Sequence, residues 1–246
     1  VNPALRILDT GVQSARWNIA MTAALAQLHD SGVTPDTVRF HRYPRAVLLG
    51  RNQPTADVDI VYCARHGIEV ARRVTGGGAV YMCPEILAWD VVVPRRVFGS
   101  LDDASFSVCG AAAGALSALG FDAKFVVPNA VVIGERKVSG SSGSFEGGTL
   151  VLQGTVVIDV DSDELAAALK IARGANWVAS LAQASHAPAI DDVISAMTRS
   201  FSQALAREVS PGCATAAETA LAQSLLDDEI GRDEFVFGAT ALRRSA

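Results

Sequence analysis

Trp17, Ala20, Met21, Ala24 and Leu28 recur at helical spacing and predict a helix over residues 12–30, with Ser14 placed to cap it and Gly32 to stop it. Apolar runs at 38–43 and 46–49 predict two short strands broken at Pro44. Residues 60–63 are ambiguous. Residues 69–74 read as a strand entering Gly76, Gly77 and Gly78, and 79–81 with 87–93 as a strand pair across a turn at Pro84. An alanine-rich helix spans 102–119 and ends at Gly120. Residues 131–133 and 136–139 predict a hairpin around Gly134-Glu135, and 139–148 a Gly/Ser loop. A long strand follows at 150–160, in which Gly154 marks a bulge or a close backbone approach. Helices are expected at 163–171, 190–206 and 214–230, before a short tail. The helices interrupt the strands irregularly. A doubly wound parallel sheet is therefore disfavoured, and an α+β fold with a mostly antiparallel sheet is expected.

Composition narrows the class. Of 246 residues, 50% are hydrophobic and 19% charged, which excludes a disordered chain. With 21 Gly and 9 Pro the chain is not collagen-like or of low complexity. The net charge of -5 and pI near 5.4 argue against a broadly basic surface for nucleic acid. Cys63, Cys83, Cys109 and Cys213 form no CxxC pair, and a chain of this length does not need disulfides, so reduced thiols are expected. No apolar run approaches the roughly 20 residues of a membrane span, and no basic-then-apolar leader is visible. The expectation is a soluble cytoplasmic protein with no nucleic-acid or membrane partner.

Three segments carry candidate chemistry. In Arg72-Arg73-Val74-Thr75-Gly76-Gly77-Gly78-Ala79-Val80-Tyr81, three glycines let the backbone approach a ligand closely. Their N–H groups can converge on an anion, and the arginines can hold phosphate or carboxylate. Taken alone, the segment reads equally well as a flexible hairpin loop. It is neither a phosphate-binding Gly-Lys-Ser/Thr loop nor GxGxxG opening a helix. In Gly134-Glu135-Arg136-Lys137-Val138-Ser139-Gly140-Ser141-Ser142-Gly143, Lys137 follows a turn and leads into small residues. A lysine there can neutralise charge on a phosphate or carbonyl oxygen, although a solvated turn lysine is the commoner fate. The stretch from Arg42-Tyr43-Pro44 to Gly50-Arg51-Asn52-Gln53 offers polar groups after a strand and decides nothing alone. Among the thiols only Cys83 follows the glycine loop closely enough to be a candidate, and Cys109 reads as a core residue. His29, His41, His66 and His186 lack ligand spacing, so no metal site is assigned.

Together these segments, with Asn129 before the lysine motif and Gly154-Thr155 after it, resemble the lipoate–protein ligase A family of the biotin/lipoate ligase and octanoyltransferase group, over about residues 5–206. The first helix, with Asn18 and Ala20, is similar too. The resemblance implies a class II synthetase or biotin-ligase-like catalytic domain at 1–208, followed by a short helical extension at 209–246. It implies that lipoate and ATP react with Mg²⁺ to give lipoyl-adenylate, and that the lipoyl group passes to an acceptor lysine. It places Lys137 at the bond between carboxyl and α-phosphate, Arg73 on nucleotide phosphate, and the backbone of Gly78, Ala79, Val80 and Tyr81 along the nucleotide. Thr75, Gly76, Gly77, Asn129, Ser139, Gly140, Ser141 and Thr155 complete the ATP- and lipoate-binding set it implies.

The chain departs from the family pattern at three places. Met82-Cys83 stands for His-Asp, Asn129-Ala130 for Asn-Asp and Leu152-Gln153-Gly154 for His-His-Gly, which marks a divergent branch. Cysteine-dependent octanoyltransferases of this fold carry arginine where Gly78 stands and a cysteine upstream of the lysine motif. Residues 121–136 hold no cysteine, which favours ATP-driven ligation. The alternatives are an ATP-independent octanoyl or lipoyl transferase using Cys83, and a non-catalytic lipoate binder. The expected acceptor is a 2-oxoacid dehydrogenase lipoyl domain, a glycine-cleavage carrier or another lipoate-bearing carrier. The roughly 40 residues after Ala206 leave no room for a full accessory domain, so a separate accessory polypeptide or a minimal enzyme is expected.

Overall fold

The computed structural model describes residues 4–145, 147–171 and 178–238, so the last eight residues of the expected tail lie outside the described residues. The chain opens with strand β1 (Leu5–Val12), which the hydrophobic pattern did not reveal, and helix α1 (Ala15–Asp30). Ser14 caps α1 as expected, its hydroxyl accepting from the Trp17 N–H. β2 (Thr37–Arg42) and β3 (Ala46–Leu49) follow, and the ambiguous stretch becomes α2 (Ile60–His66), capped by Asp59 and closed by left-handed Gly67. Then come β4 (Glu69–Arg72), β5 (Val80–Met82), β6 (Ile86–Pro94), α3 (Leu101–Ala118), β7 (Ala123–Val126) and β8 (Ala130–Ile133). β9 (Arg136–Ser144), β10 (Thr149–Val157), α4 (Ser162–Ala168), α5 (Leu181–Ala184) and α6 (Ile190–Leu205) complete the central part. The C-terminal part holds β11 (Val209–Pro211), α7 (Ala216–Leu225), a π-turn over Leu226–Ile230 and α8 (Asp233–Phe237).

Eight strands form one sheet in the order β11-β1-β2-β6-β10-β9-β8-β7, and three form a small second sheet, β4-β3-β5. In the large sheet β1 runs parallel to β11 and β2, and every other neighbouring pair is antiparallel. The fold is α+β, with a mostly antiparallel sheet flanked by helices. Period-two alternation along β6 explains the layering. Leu87, Trp89, Val91 and Val93 pack with α3 and α6, where Phe201 stacks on Phe40 at 6.5 Å. Ala88 and Val92 face the other way, toward α1 and the small sheet.

Two local readings are corrected. β5 and β6 do not pair with each other: β5 pairs with β3, and β6 lies between β2 and β10. A turn at Pro84 sends them to different sheets, a long-range choice that local alternation does not encode. Residues 139–144 are not a loop but the second half of β9, paired to β10 from Ser141↔Gly154 to Ser144↔Val151. Their small side chains answer to packing rather than to turning. A Cβ at Gly143 would sit 2.6 Å from Leu101 Cδ1 and 3.1 Å from Leu152 Cδ1. Gly154 is the close approach anticipated, since a Cβ there would fall 2.0 Å from the Trp89 ring.

The C-terminal part is packed against the rest. Glu218 closes the capping box of α7 with Thr215 while its carboxylate also grips Arg6 of β1 at 2.6 Å and Thr34. Ile230 and Val236 are buried beside the small sheet.

Candidate active site

The site is built where the small sheet faces β9 and β10. The glycine loop leaves β4 and returns as β5, and its path depends on two special positions. Gly77 has φ +88, and a Cβ at Gly50 would lie 1.8 Å from the Gly77 carbonyl oxygen, so only glycine lets the two segments cross. The arginines of the motif hold this loop. Arg72 donates to the carbonyls of Gly50 and Gln53 at 2.8 Å and of Val236 at 2.9 Å. Arg73 donates to those of Leu48, Gly76 and Gly78 at 2.8–3.0 Å. Arg73 is buried, lines the larger cavity described below, and has no carboxylate within salt-bridge distance among the described residues. Burial lowers its pKa to about 10. An unpaired buried cation of this kind favours an anion beside it.

Lys137 sits at the start of β9. Its carbonyl accepts from Ala179 N–H at 2.9 Å, and its side chain runs over Gly140, where a Cβ would meet Cε at 2.7 Å and Nζ at 2.8 Å. Its ammonium has no hydrogen-bond or ion-pair partner among the described residues. Burial holds its pKa below the ordinary lysine value, an effect opposed by the nearby Cys109.

Two cavities meet at this lysine. The larger, about 280 Å³, is lined by Arg73, Gly77, Gly78, Asn129, Ser141 and Ser142 and by His41, Tyr43, Leu48, Met82, Trp89, Asp90 and Gln153. The smaller, about 80 Å³, is an apolar slot between Tyr81, Ile86, Val157, Leu165, Leu169 and Val178, with Ser139 at its edge. Ala79, Val80, Lys137, Gly140 and Thr155 line both. Of the residues named from sequence, Thr75 and Gly76 line neither cavity. Thr75 supports the wall from behind, its hydroxyl 2.8 Å from Gln153 Oε1 and 3.0 Å from Ser142 Oγ. Asn129 clamps β9 by donating to the Ser141 carbonyl at 2.7 Å. The Tyr81 hydroxyl donates to Glu164, and burial raises its pKa.

Sequence reasoning missed the buried polar cluster behind the larger cavity. Arg39 and Asp90 form a fully buried ion pair at 2.9 Å, joined by Thr22 and by Gln153, whose amide donates to Asp90 at 2.8 Å. Burial would push Asp90 up, but Arg39, the His41 ring and the hydrogen bonds from Gln153 and Thr22 hold its pKa below the ordinary value. Burial and Arg39 push His41 down to about 3, so its ring is neutral. The signal lay in the strands themselves, since Arg39, His41 and Asp90 interrupt otherwise apolar runs.

No cysteine lines either cavity. The Cys83 thiol faces the Asp159 carbonyl at 3.8 Å, and burial raises its pKa to about 12. Cys109 lies behind β9, 3.0 Å from Ser141 Oγ. Among the described residues no group of three or more His, Cys, Asp or Glu is placed to hold a metal ion.

Residues 14–202 match the family model described as the lipoyl protein ligase A/B catalytic domain. The chain belongs to this family. Lipoate-protein ligase A subunit 1 of Thermoplasma acidophilum is 30% identical over 252 residues, covering 92% of this chain and 93% of that protein. The structure of that organism's bi-partite lipoate protein ligase with its E2 lipoyl domain superposes with a TM-score of 0.88 at 28% identity, over 96% of each chain. A lipoate-protein ligase A bound with ATP superposes at 0.85, also 28% identical, over 97% of this chain and 99% of that one. The octanoyltransferase LipM of Moorella thermoacetica is 28% identical over 190 residues, covering 68% of this chain and 69% of that protein. The family thus includes both ligases and transferases. Among the described residues no helix is long and apolar enough to cross a membrane.

Proposed function

We propose that this family member is an ATP-dependent lipoate–protein ligase. It activates lipoate to lipoyl-AMP and passes the lipoyl group to a lysine of an acceptor protein. The observation that carries the reading is Lys137, an unpaired ammonium at the junction of a larger cavity and an apolar slot. On this reading the acyl chain occupies the larger cavity and the adenine ring the slot, against Val80, Tyr81 and Leu165. Carboxylate and α-phosphate then meet at Lys137. Two anions repel, and Lys137 with the buried Arg73 offsets that repulsion and the charge that builds in the transition state. A carboxylate oxygen bonds to the α-phosphorus as pyrophosphate leaves. The acceptor's amine then attacks the acyl carbon, AMP leaves, and the amine gives up its proton. Mg²⁺ would arrive with ATP, held mainly by phosphate oxygens and water, and so does not require a cluster of three protein ligands, of which there is none among the described residues.

The Thermoplasma ligase and the ATP-bound structure support this reading, and the LipM relatives support octanoyl transfer. The placing of the cysteines favours ligation, because no cysteine lines either cavity. The acceptor is a lipoyl-domain-like carrier. By analogy with the bi-partite relative, a second polypeptide completes the enzyme, with residues 1–208 as the catalytic domain and the residues after it bracing α1 and β1.

The test is pyrophosphate release from ATP with free lipoate, without an acceptor and with the second polypeptide present where one is found. Lipoate-dependent release that Lys137→Ala abolishes and Cys83→Ala leaves intact is the expected result. ATP-independent transfer from an octanoyl thioester, lost in Cys83→Ala, would select the transferase instead.

A further inference from the structure

The two arginines of the glycine motif serve different sides of the loop. Arg73 holds it from the larger cavity, whereas Arg72 lines no cavity and reaches the strap made by the π-turn and α8. The Nη1 of Arg72 donates to the carbonyls of Gly50 and Gln53 at 2.8 Å and of Arg51 at 3.2 Å. Its Nε donates to those of Val236 at 2.9 Å and Phe235 at 3.2 Å. Among the described residues no carboxylate pairs with it, so one planar guanidinium joins two stretches of backbone, the strap and the turn after β3. That turn lies directly on the glycine loop. Arg51 N–H donates to the Thr75 carbonyl at 2.9 Å, and Gly50 crosses the Gly77 carbonyl too closely for a Cβ. A third cavity, about 320 Å³, is lined by Arg51, Val74, Glu229 and Phe235 together with Gln27 and Asp30 of α1. The space where turn, loop and strap meet is thus partly open, and across that gap hydrogen bonds make the joint.

We propose that Arg72 is a positioning residue through which the strap sets the glycine loop, and with it the affinity of the loop for its nucleotide. The inference rests on the ligase reading only for taking ATP as the ligand. The path runs from the Val236 carbonyl through Arg72 to Gly50 and Arg51, and from these to Gly77 and Thr75. Loop N–H groups that move by about 1 Å no longer meet phosphate oxygens at hydrogen-bond distance. Lys137 stands on β9, outside this path, so the chemistry at saturating ATP does not depend on it. The strap has a second anchor far from the loop. Arg16 of α1 donates to the Gly231 carbonyl and pairs with Asp233 at 2.8 Å. Removing Arg16 therefore loosens the strap without touching the turn or the loop.

The experiment is calorimetric titration of ATP into the native chain, Arg72→Met, Arg72→Lys, Arg16→Met and the Arg16→Met/Arg72→Met double variant. Losing one good contact to a charged phosphate is expected to weaken binding about tenfold in Arg72→Met, and looser seating about threefold in Arg16→Met. Arg72→Lys should recover part of the loss, since an ammonium reaches one of the two stretches. The double variant should bind no more weakly than Arg72→Met, because the path is already cut; independent losses would multiply to about thirtyfold. In ATP–pyrophosphate exchange the loss should fall on KM for ATP and leave kcat nearly native. Hydrogen exchange at the Arg51 amide reports the joint without any ligand and should quicken in Arg16→Met. That variant keeps the test open should Arg72→Met not fold. Native ATP affinity in folded Arg72→Met, multiplied losses in the double variant, or unchanged Arg51 exchange in Arg16→Met overturns the proposal. Quickened exchange in a protein whose native chain binds no ATP removes the ligase reading and leaves the strap's hold on the loop.

Discussion

Gly140→Ala separates the site from the fold more cleanly than removing Lys137 itself. A methyl group at 140 would lie 2.7 Å from Lys137 Cε and 2.8 Å from Nζ. Ordinary contact between such atoms is about 3.5–4.0 Å, so the ammonium must move by about 1 Å. The clash is with the far end of a flexible side chain, not with backbone, and Gly140 does not have a positive φ. The folded state therefore accommodates the methyl easily. Alanine also restricts the unfolded chain, which adds about 0.4–1 kcal/mol of stability at a compatible position. The two effects have opposite signs. The melting temperature should hold or rise slightly. Lipoate-dependent ATP–pyrophosphate exchange should fall about a hundredfold, since a misplacement of about 1 Å costs that much at a reacting centre. Exchange rates and thermal unfolding of the same preparation check both. A native exchange rate in the folded variant would refute the placing of Lys137 at the reacting atoms, and a large drop in melting temperature would refute the packing argument.

Acid should destabilise the protein well above the carboxylate range. His41, buried with Arg39, Asp90 and Tyr43 around it, has its pKa lowered to about 3, whereas the unfolded chain takes up that proton near 6.5. Its contribution is whole above pH 6.5 and is lost as pH falls toward 3, by about 1.4 kcal/mol per unit, or about 2 kcal/mol at pH 5. Urea unfolding at pH 7 and pH 5 should show this loss and H41L/Y43F should flatten it; an unchanged pH dependence in that variant counts against the assignment. Arg39→Met leaves Asp90 buried without its counter-charge and should cost about 3–5 kcal/mol in chemical denaturation, with much of it recovered by Asp90→Leu in the same chain; a loss under about 1 kcal/mol contradicts the pair's isolation. Because burial lowers Lys137, the alkaline fall of kcat/KM for ATP should begin below the pH of an ordinary lysine. Lys137→Arg should remove that limb from the accessible range, and a limb that stays assigns it to another group.

Much of the site was legible in the residues because its local chemistry is local in sequence. Three successive glycines, a lysine at a hairpin and a glycine inside a strand each state a backbone requirement, and Gly77, Lys137 and Gly154 meet those requirements in the structure. The two arginines illustrate the limit. Their position beside a glycine loop suggested anion binding, and only the structure shows that their guanidinium groups also hold loop carbonyls, because what a buried donor meets depends on the path of distant segments. Residues 139–144 were mistaken for a loop on composition, since smallness serves turns and tight packing alike.

By itself, then, the sequence determined the element types of the strongly periodic segments, the cap at Ser14, the α+β class and the motifs that mark the family. These depend on spacing and on residue chemistry within a few positions. Only the tertiary structure decided that β5 and β6 part into different sheets and that Cys83 turns away from the site. It alone brought Lys137 to the junction of two cavities and put Arg39, His41 and Asp90 behind the larger one. The physical reason is that strand pairing and burial are settled between residues far apart in the chain, where the apolar area removed from water outweighs local preference.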